Sequence, residues 1–291
     1  MIEARASRTA YMVAKRRAAH QLFDNPKILD DPVALPILGV DVESSLRNAP
    51  RFASRFGRFV RASMAARSRY AEDQLARAVR QGARQYVIVG AGLDTFAYRN
   101  PHEPIGLRVF EVDHPATQAW KKERLRAAGI AIPQTLTFVP IDFENQKLPD
   151  ALHNAGFDAT QAAFFSWQGV TMYLERETVL STLRFIASCG SGARARGGSG
   201  GGVAFDYIVP RKSLSWMRRF VFDVMARRVA RAGEPFRTFF EPEELTGELE
   251  RIGFQSIENI GGAEINARYF SGRTDGLRVP GILGRFASAW M

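Results

Sequence analysis

The chain has 291 residues, of which 46% are hydrophobic and 24% charged, so it can bury a large core and is not globally disordered. Lys and Arg number 40 against 30 Asp and Glu, a net charge of +10. The basic residues run along the whole chain, a basic total without the local patch that marks a nucleic-acid footprint, so no nucleic-acid partner is expected.

No apolar run approaches the ~20 residues that cross a bilayer, and no stable membrane insertion is expected. The opening Met1-Ile2-Glu3-Ala4-Arg5 carries no apolar leader. Cys189 is the only cysteine, which excludes an internal disulfide and a cysteine-rich zinc site. The expected compartment is the cytoplasm.

From Thr9 to Arg80 the pattern is helical, broken at Pro26, Pro32, Pro36 and Pro50. A helix over Arg67–Arg80 closes this region. The texture then changes. Tyr86-Val87-Ile88-Val89 is an apolar run ending in Gly90-Ala91-Gly92, as in a strand buried on both faces. Further strands are expected at Leu107–Val112, Leu136–Ile141, Ala162–Ser166, Val203–Ile208 and Phe254–Ile260. Helices are expected between them at Pro115–Ala128, Arg176–Ser188 and Pro242–Ile252. Alternating strands and helices predict a wound α/β sheet. The run Gly190–Gly202, nearly all glycine, serine, alanine and arginine, reads as a surface loop inside one domain, dispensable for folding. Ser213–Arg231 reads as a basic amphipathic helix. It suits a packed helix with a solvated arginine face, a substrate lid walled by Trp216, Phe220 and Phe222, or a membrane-surface contact.

The chemistry concentrates at three strand ends. Gly90-Ala91-Gly92-Leu93-Asp94-Thr95 follows the first strand, and its glycines let backbone approach a ligand. Asp113, about 20 residues on, ends the second strand where an acid accepts from ribose hydroxyls. Asp142 and Phe143 follow the third strand, an acceptor for an exocyclic amine beside an aromatic ring. The third glycine of a dinucleotide fingerprint is replaced by Thr95. Asp94 beside it would repel a diphosphate. No lysine of a phosphate loop follows. S-adenosylmethionine, which has a ribose and adenine but no phosphate, fits better, with Arg67 or Arg69 as partner for its carboxylate. Four scattered histidines give no metal-ligand spacing. His114 reads as a turn residue, His20 as a candidate lid residue, and His102 and His153 as loop residues. Ser166 and Tyr173 flank the fourth strand's end. A nucleotide-dependent oxidoreductase and a non-enzymatic basic binder are the competing readings.

Taken in order, Ala66-Arg67-Ser68-Arg69-Tyr70, Gly90 to Thr95, Glu111-Val112-Asp113-His114-Pro115, Asp142-Phe143 and Gly169-Val170-Thr171-Met172-Tyr173-Leu174 resemble the leucine carboxyl methyltransferase family. The likeness is greatest to its bacterial branch. Arg17-Ala18-Ala19-His20 and Ile28-Leu29-Asp30-Asp31-Pro32 resemble that branch too, and the resemblance runs from Thr9 to Gly261. It implies a Rossmann-like, mostly parallel class I methyltransferase sheet forming one domain. Residues 1–80 would be an N-terminal helical cap and residues 210–240 a helical lid insertion. It also implies O-methylation of a small-molecule carboxylate or hydroxyl with S-adenosylmethionine as donor. By position, Arg67 would hold the methionine carboxylate and Gly90 would underlie the methionine portion, with Gly92 also at the cofactor. Asp113 would hold the ribose, and Asp142 and Phe143 the adenine. Gln168 stands where the family commonly has Glu against the cofactor. No catalytic base and no metal are implied.

Overall fold

A computed structural model describes residues 8–143, 145–231, 235–281 and 284–291. The opening Met1–Arg5 lies outside them. The elements in chain order are α1 (Arg8–Phe23), α2 (Val42–Arg47), α3 (Pro50–Ala53), α4 (Arg55–Arg80), β1 (Gln85–Val89), β2 (Arg108–Asp113), α5 (Pro115–Ala127), β3 (Leu136–Pro140) and α6 (Leu148–Asn154). They continue with β4 (Ala163–Trp167), α7 (Arg176–Ser188), α8 (Ser191–Ala195), β5 (Gly201–Ile208), α9 (Trp216–Arg231), α10 (Pro242–Ile252), β6 (Ser256–Ile260), α11 (Gly262–Tyr269) and β7 (Gly284–Trp290).

The seven strands run in the order β3-β2-β1-β4-β5-β7-β6. β2 and β3 pair parallel, as do β4 and β5. β7 is antiparallel to both β5 and β6. The order reverses between β1 and β4, the switch point at which open α/β sheets place ligands. The apolar runs explain which strands are central. Every residue of β1, β4 and β5 is buried, whereas β3 and β6 at the two ends of the order keep partly exposed positions.

The chain divides into two compact units. The first comprises Met1–Arg69, Ile88–Phe157 and Ile265–Pro280, the second Tyr70–Val87, Asp158–Glu264 and Gly281–Met291. In the first unit α1, α2 and α3 share a core of Ala14, Ala18, Ala19, Val42, Leu46 and Phe52 with Leu93 and Leu125. The N-terminal helices are thus packed on apolar side chains.

Three expectations are corrected. The strand β7 was not foreseen. The basic helix begins at Trp216, after a short 3-10 turn over Arg211–Ser213, and not at Ser213. The run Gly190–Gly202 is not a plain surface loop. It holds α8, the amide of Gly190 donates to Ala159 O at 2.8 Å, and Gly201 and Gly202 open the buried strand β5.

The reason for glycine at 201 is steric. Its φ is +99°, and a Cβ there would stand 1.8 Å from the carbonyl oxygen of Ala163 on the neighbouring strand. At Gly202 a Cβ would meet Ala289 O at 2.5 Å and the Trp290 ring at 3.0 Å. Gly197, also at positive φ, has open space around it. Gly201→Ala is therefore expected to cost at least about 2 kcal/mol, since β4 and β5 must part, and Gly197→Ala about 1 kcal/mol for its backbone conformation alone. Thermal unfolding of the two variants side by side checks this. Equal losses would show that β5 does not begin where the register places it.

Candidate functional site

The first unit builds its site on the turn after β1. Gly90 and Ala91 both donate to Val112 O, at 2.8 and 3.0 Å, which ties the turn to β2. Gly90 and Gly92 hold φ of 72° and 50°, a region that Cβ-bearing residues rarely enter. The amide of Gly92 donates to Asp113 Oδ2 at 2.5 Å, and the amide of His114 donates to Asp113 Oδ1 at 2.7 Å. Each carboxylate oxygen thus keeps acceptor capacity for a further partner. Burial raises the Asp113 pKa above the usual carboxylate range, against the pull of these amides and of Lys121.

Helix α1 packs onto the same turn. A Cβ on Gly92 would lie 3.0 Å from the Ala10 methyl. Arg17, buried on α1, donates to Leu93 O at 2.5 Å and pairs with Asp94 at 3.3 Å. Asp94 also accepts from the Phe96 amide at 2.8 Å. Burial pushes its carboxyl up, but Arg17, Lys121 and the other partners hold it below the ordinary value. Behind it Asp31, fully buried, accepts from Thr95 Oγ1 at 2.6 Å and faces Arg17 at 3.6 Å and Arg99 at 3.4 Å. Lys121 and Glu111 form a second buried pair at 2.6 Å. Burial pushes Glu111 up to about 7, Lys121 pulling against it.

This network refines the argument from Asp94. Its charge is neutralised by Arg17, so it is not a lone repulsive carboxylate. Within the cluster the acids Asp31, Asp94, Glu111 and Asp113 face the cations Arg17, Arg99 and Lys121, and with Glu111 pushed up to about 7 the two signs nearly balance.

The other predicted residues fall as follows. Arg67 is buried on α4. Arg69 donates to Ile28 O at 3.2 Å. Asp142 and Phe143 stand partly exposed just after β3, and Asp142 Oδ2 accepts from Asn145 Nδ2 at 2.8 Å. His114 caps α5, its Nδ1 accepting from the Ala116 amide at 3.2 Å. His153 lies on α6 rather than in a loop.

His20 is not a lid residue. It is fully buried, and its Nε2 accepts from the amides of Ile28 and Leu29 at 3.1 and 3.3 Å. Nδ1 therefore carries the proton and donates to Asp24 Oδ2 at 2.8 Å. Arg61 grips the same carboxylate through Nε at 2.9 Å and Nη2 at 2.6 Å. Among the described residues no group of three or more His, Cys, Asp or Glu could hold a metal ion.

In the second unit Gln168 follows β4. Its Nε2 donates to Ala204 O at 3.3 Å, and its Oε1 is buried without a hydrogen-bond partner among the described residues. The amide of Gly169 donates to Asp206 Oδ1 at 2.5 Å, and Thr171 Oγ1 donates to Asp206 O at 2.6 Å. Asp206 thus steadies the turn after β4 much as Asp113 steadies the turn after β1. Sequence reasoning missed it, although an acid inside the apolar run Val203–Ile208 was the available signal. Ser166 is buried within β4, and Tyr173 stacks on Phe236 at 5.7 Å.

A family model described as leucine carboxyl methyltransferase matches residues 10–187. The chain belongs to the leucine carboxyl methyltransferase family. It is an S-adenosylmethionine-dependent methyltransferase. The Bacillus subtilis protein YktD, named as such a methyltransferase, is 33% identical over 293 residues, covering 94% of each chain. A Mycobacterium marinum protein of the same designation is 39% identical over 173 residues, 57% of this chain and 56% of that protein. Among solved structures, a Thermobifida fusca protein described as a methyltransferase superposes with a TM-score of 0.53 at 15% identity, covering 99% of this chain and 96% of that one. A DUF574 family protein from Streptomyces avermitilis gives 0.50 at 18%, covering 95% and 96%. At these identities the two structures speak for the shared fold alone. Membership in this family sets aside the oxidoreductase and the non-enzymatic binder as the function of the methyltransferase.

Proposed function

We propose that the enzyme methylates an oxygen of a small-molecule acceptor, a carboxylate ahead of a hydroxyl, and that the glycine-turn site holds the donor. The site fits S-adenosylmethionine by its acceptors: Asp113 ends β2 and Asp142 follows β3, and no lysine of a phosphate loop follows the glycine turn. Asp113 would accept from the ribose hydroxyls, Asp142 and Phe143 would meet the adenine, and Arg67 would take the methionine carboxylate. Gly90 and Gly92 would underlie the methionine portion. By the resemblance Gln168, whose Oε1 has no partner among the described residues, stands where the family's Glu meets the cofactor.

When bound, S-adenosylmethionine supplies a sulfonium methyl that a carboxylate oxygen takes by in-line displacement without losing a proton. The chain's part is to hold donor and acceptor in line, and alignment of this kind is worth up to ~7–11 kcal/mol. One observation carries the preference for a carboxylate. A hydroxyl acceptor needs a base, and neither histidine with a claim on the site is available as one. His20 has both ring nitrogens engaged in the core, and the Nδ1 of His114 caps α5.

The test is methyl transfer from tritiated S-adenosylmethionine to a panel of small carboxylic acids and phenols, followed by mild base. A methyl ester releases volatile tritiated methanol, whereas a methyl ether does not. Base-stable product alone would overturn the carboxylate reading.

A further inference from the structure

Helix α9 carries an apolar stripe on its exposed face. Trp216 is 79% exposed, Phe220 70% and Val224 50%. At 100° per residue these three positions, four apart, form one slowly turning ridge about 12 Å long. Phe222 points the other way. It is buried against Leu214, Phe236 and Phe239. The helix is therefore anchored by one face and presents a second apolar face to solvent. Of the three bulky residues expected to wall an acceptor site, only Phe222 turns inward.

The surroundings of the ridge are basic. Arg211–Arg231 contains seven basic residues and one acid. That acid, Asp223, is engaged by Arg211 through two bonds at 2.8 and 2.9 Å. Arg227 is exposed three residues beyond Val224 on the same face, and Lys212 is exposed with Glu241 4.0 Å from its Nζ. Exposed Trp and Phe with Lys and Arg around them match an anionic lipid surface, with rings at the headgroup level and cations toward the phosphates. No helix among the described residues is long and apolar enough to cross a membrane, so the contact would be peripheral.

We propose that α9 docks the protein on anionic membrane surfaces through the Trp216, Phe220 and Val224 ridge and its flanking cations. The proposal stands apart from the identity of the methyl acceptor.

The full-length protein is sedimented with vesicles of phosphatidylcholine alone and of phosphatidylcholine with 30% phosphatidylglycerol, at low and high salt. Binding is expected to the anionic vesicles only, weakened at least tenfold by high salt. Tryptophan emission should shift to the blue on binding, because Trp167 and Trp290 are buried, Trp120 is half-buried against Tyr11 away from α9 in sequence, and Trp216 is 79% exposed. W216F should remove most of the shift. W216A/F220A should lower vesicle binding at least tenfold while leaving S-adenosylhomocysteine affinity and the melting temperature unchanged. Equal binding to neutral vesicles, or none to either, would overturn the proposal. So would self-association without lipid that W216A/F220A abolishes, which would make a second copy the occupant. Salt-sensitive binding to single-stranded RNA in place of vesicles, lost in the same variant, would overturn it as well.

Discussion

Asp113→Asn is expected to weaken S-adenosylhomocysteine binding about 10- to 100-fold while the protein stays folded. The amide side chain keeps one oxygen, so Gly92 retains an acceptor for the bond now made at 2.5 Å. What disappears is one acceptor, so that the His114 amide faces the new NH2 group, and the charge that strengthens bonds from ribose hydroxyls, each worth ~1.5–3 kcal/mol, or roughly one to two powers of ten in affinity. Asp113→Ala should lose more, because the amides of Gly92 and His114 would both be left without this acceptor. Titration calorimetry separates the two effects when run beside thermal unfolding. If Asp113→Asn binds like wild type, the ribose assignment is wrong and the carboxylate serves only to hold the turn.

The largest effect on stability is expected from Arg61→Met. Arg61 and Asp24 are each almost fully buried and joined by two bonds, and Arg61 also donates to Phe52 O. Removing the cation leaves Asp24 with His20 as its remaining side-chain partner in the core, and breaking a buried pair in this way costs about 3–5 kcal/mol. The pH dependence follows from the sign of the shift. Burial raises the Asp24 carboxyl, but the bonds from Arg61 and His20 outweigh it, so its folded pKa lies below the unfolded value. That contribution is present above the unfolded pKa, near 3.8, and is lost as pH falls through the folded one. In Arg61→Met the depression is gone, and a protonated Asp24 is tolerated better than an unpaired carboxylate. The gap between wild type and variant should therefore be widest near neutrality and narrow at low pH. Chemical unfolding at a series of pH values measures it. A constant gap would mean that Arg61 acts by packing on the Phe23 ring and by its bond to Phe52 O rather than by its charge on Asp24.

Much of the sheet was legible because its central strands lie among apolar neighbours. Tyr86–Val89 and Ala162–Ser166 needed no partner to be recognised. β7 escaped because Ala287 and Ala289 are small and Ser288 is polar, so Phe286 to Trp290 lacks both a continuous run and a clear alternation. Gly201 and Gly202 were misplaced because glycine marks a loop only when nothing crowds it. Here the carbonyls of Ala163 and Ala289 demand glycine in a buried strand. At the site, the glycine turn and Asp113 were readable from spacing along one chain segment. The Arg17 to Asp94 pair and the role of His20 were not. They depend on a helix returning from 77 residues away and on two amides in a later turn. The spacing of four between His20 on α1 and Asp24 just past its end was the local hint.

The place of β7 bears on how the molecule is made. β6 joins the sheet through β7, and β5 offers its edge to β7 in the finished strand order. A chain synthesised from its N-terminus releases β5 and β6 before residues 284–290 exist. Until then two strands carry unpaired backbone edges, one of them wholly buried in the final structure. On a ribosome this is a window for mispairing with another nascent chain, and a chaperone that shields strand edges would act there. A premature stop before Gly284 would make that window permanent, leaving an intact glycine-turn sequence upstream of a sheet that cannot close its last three strands.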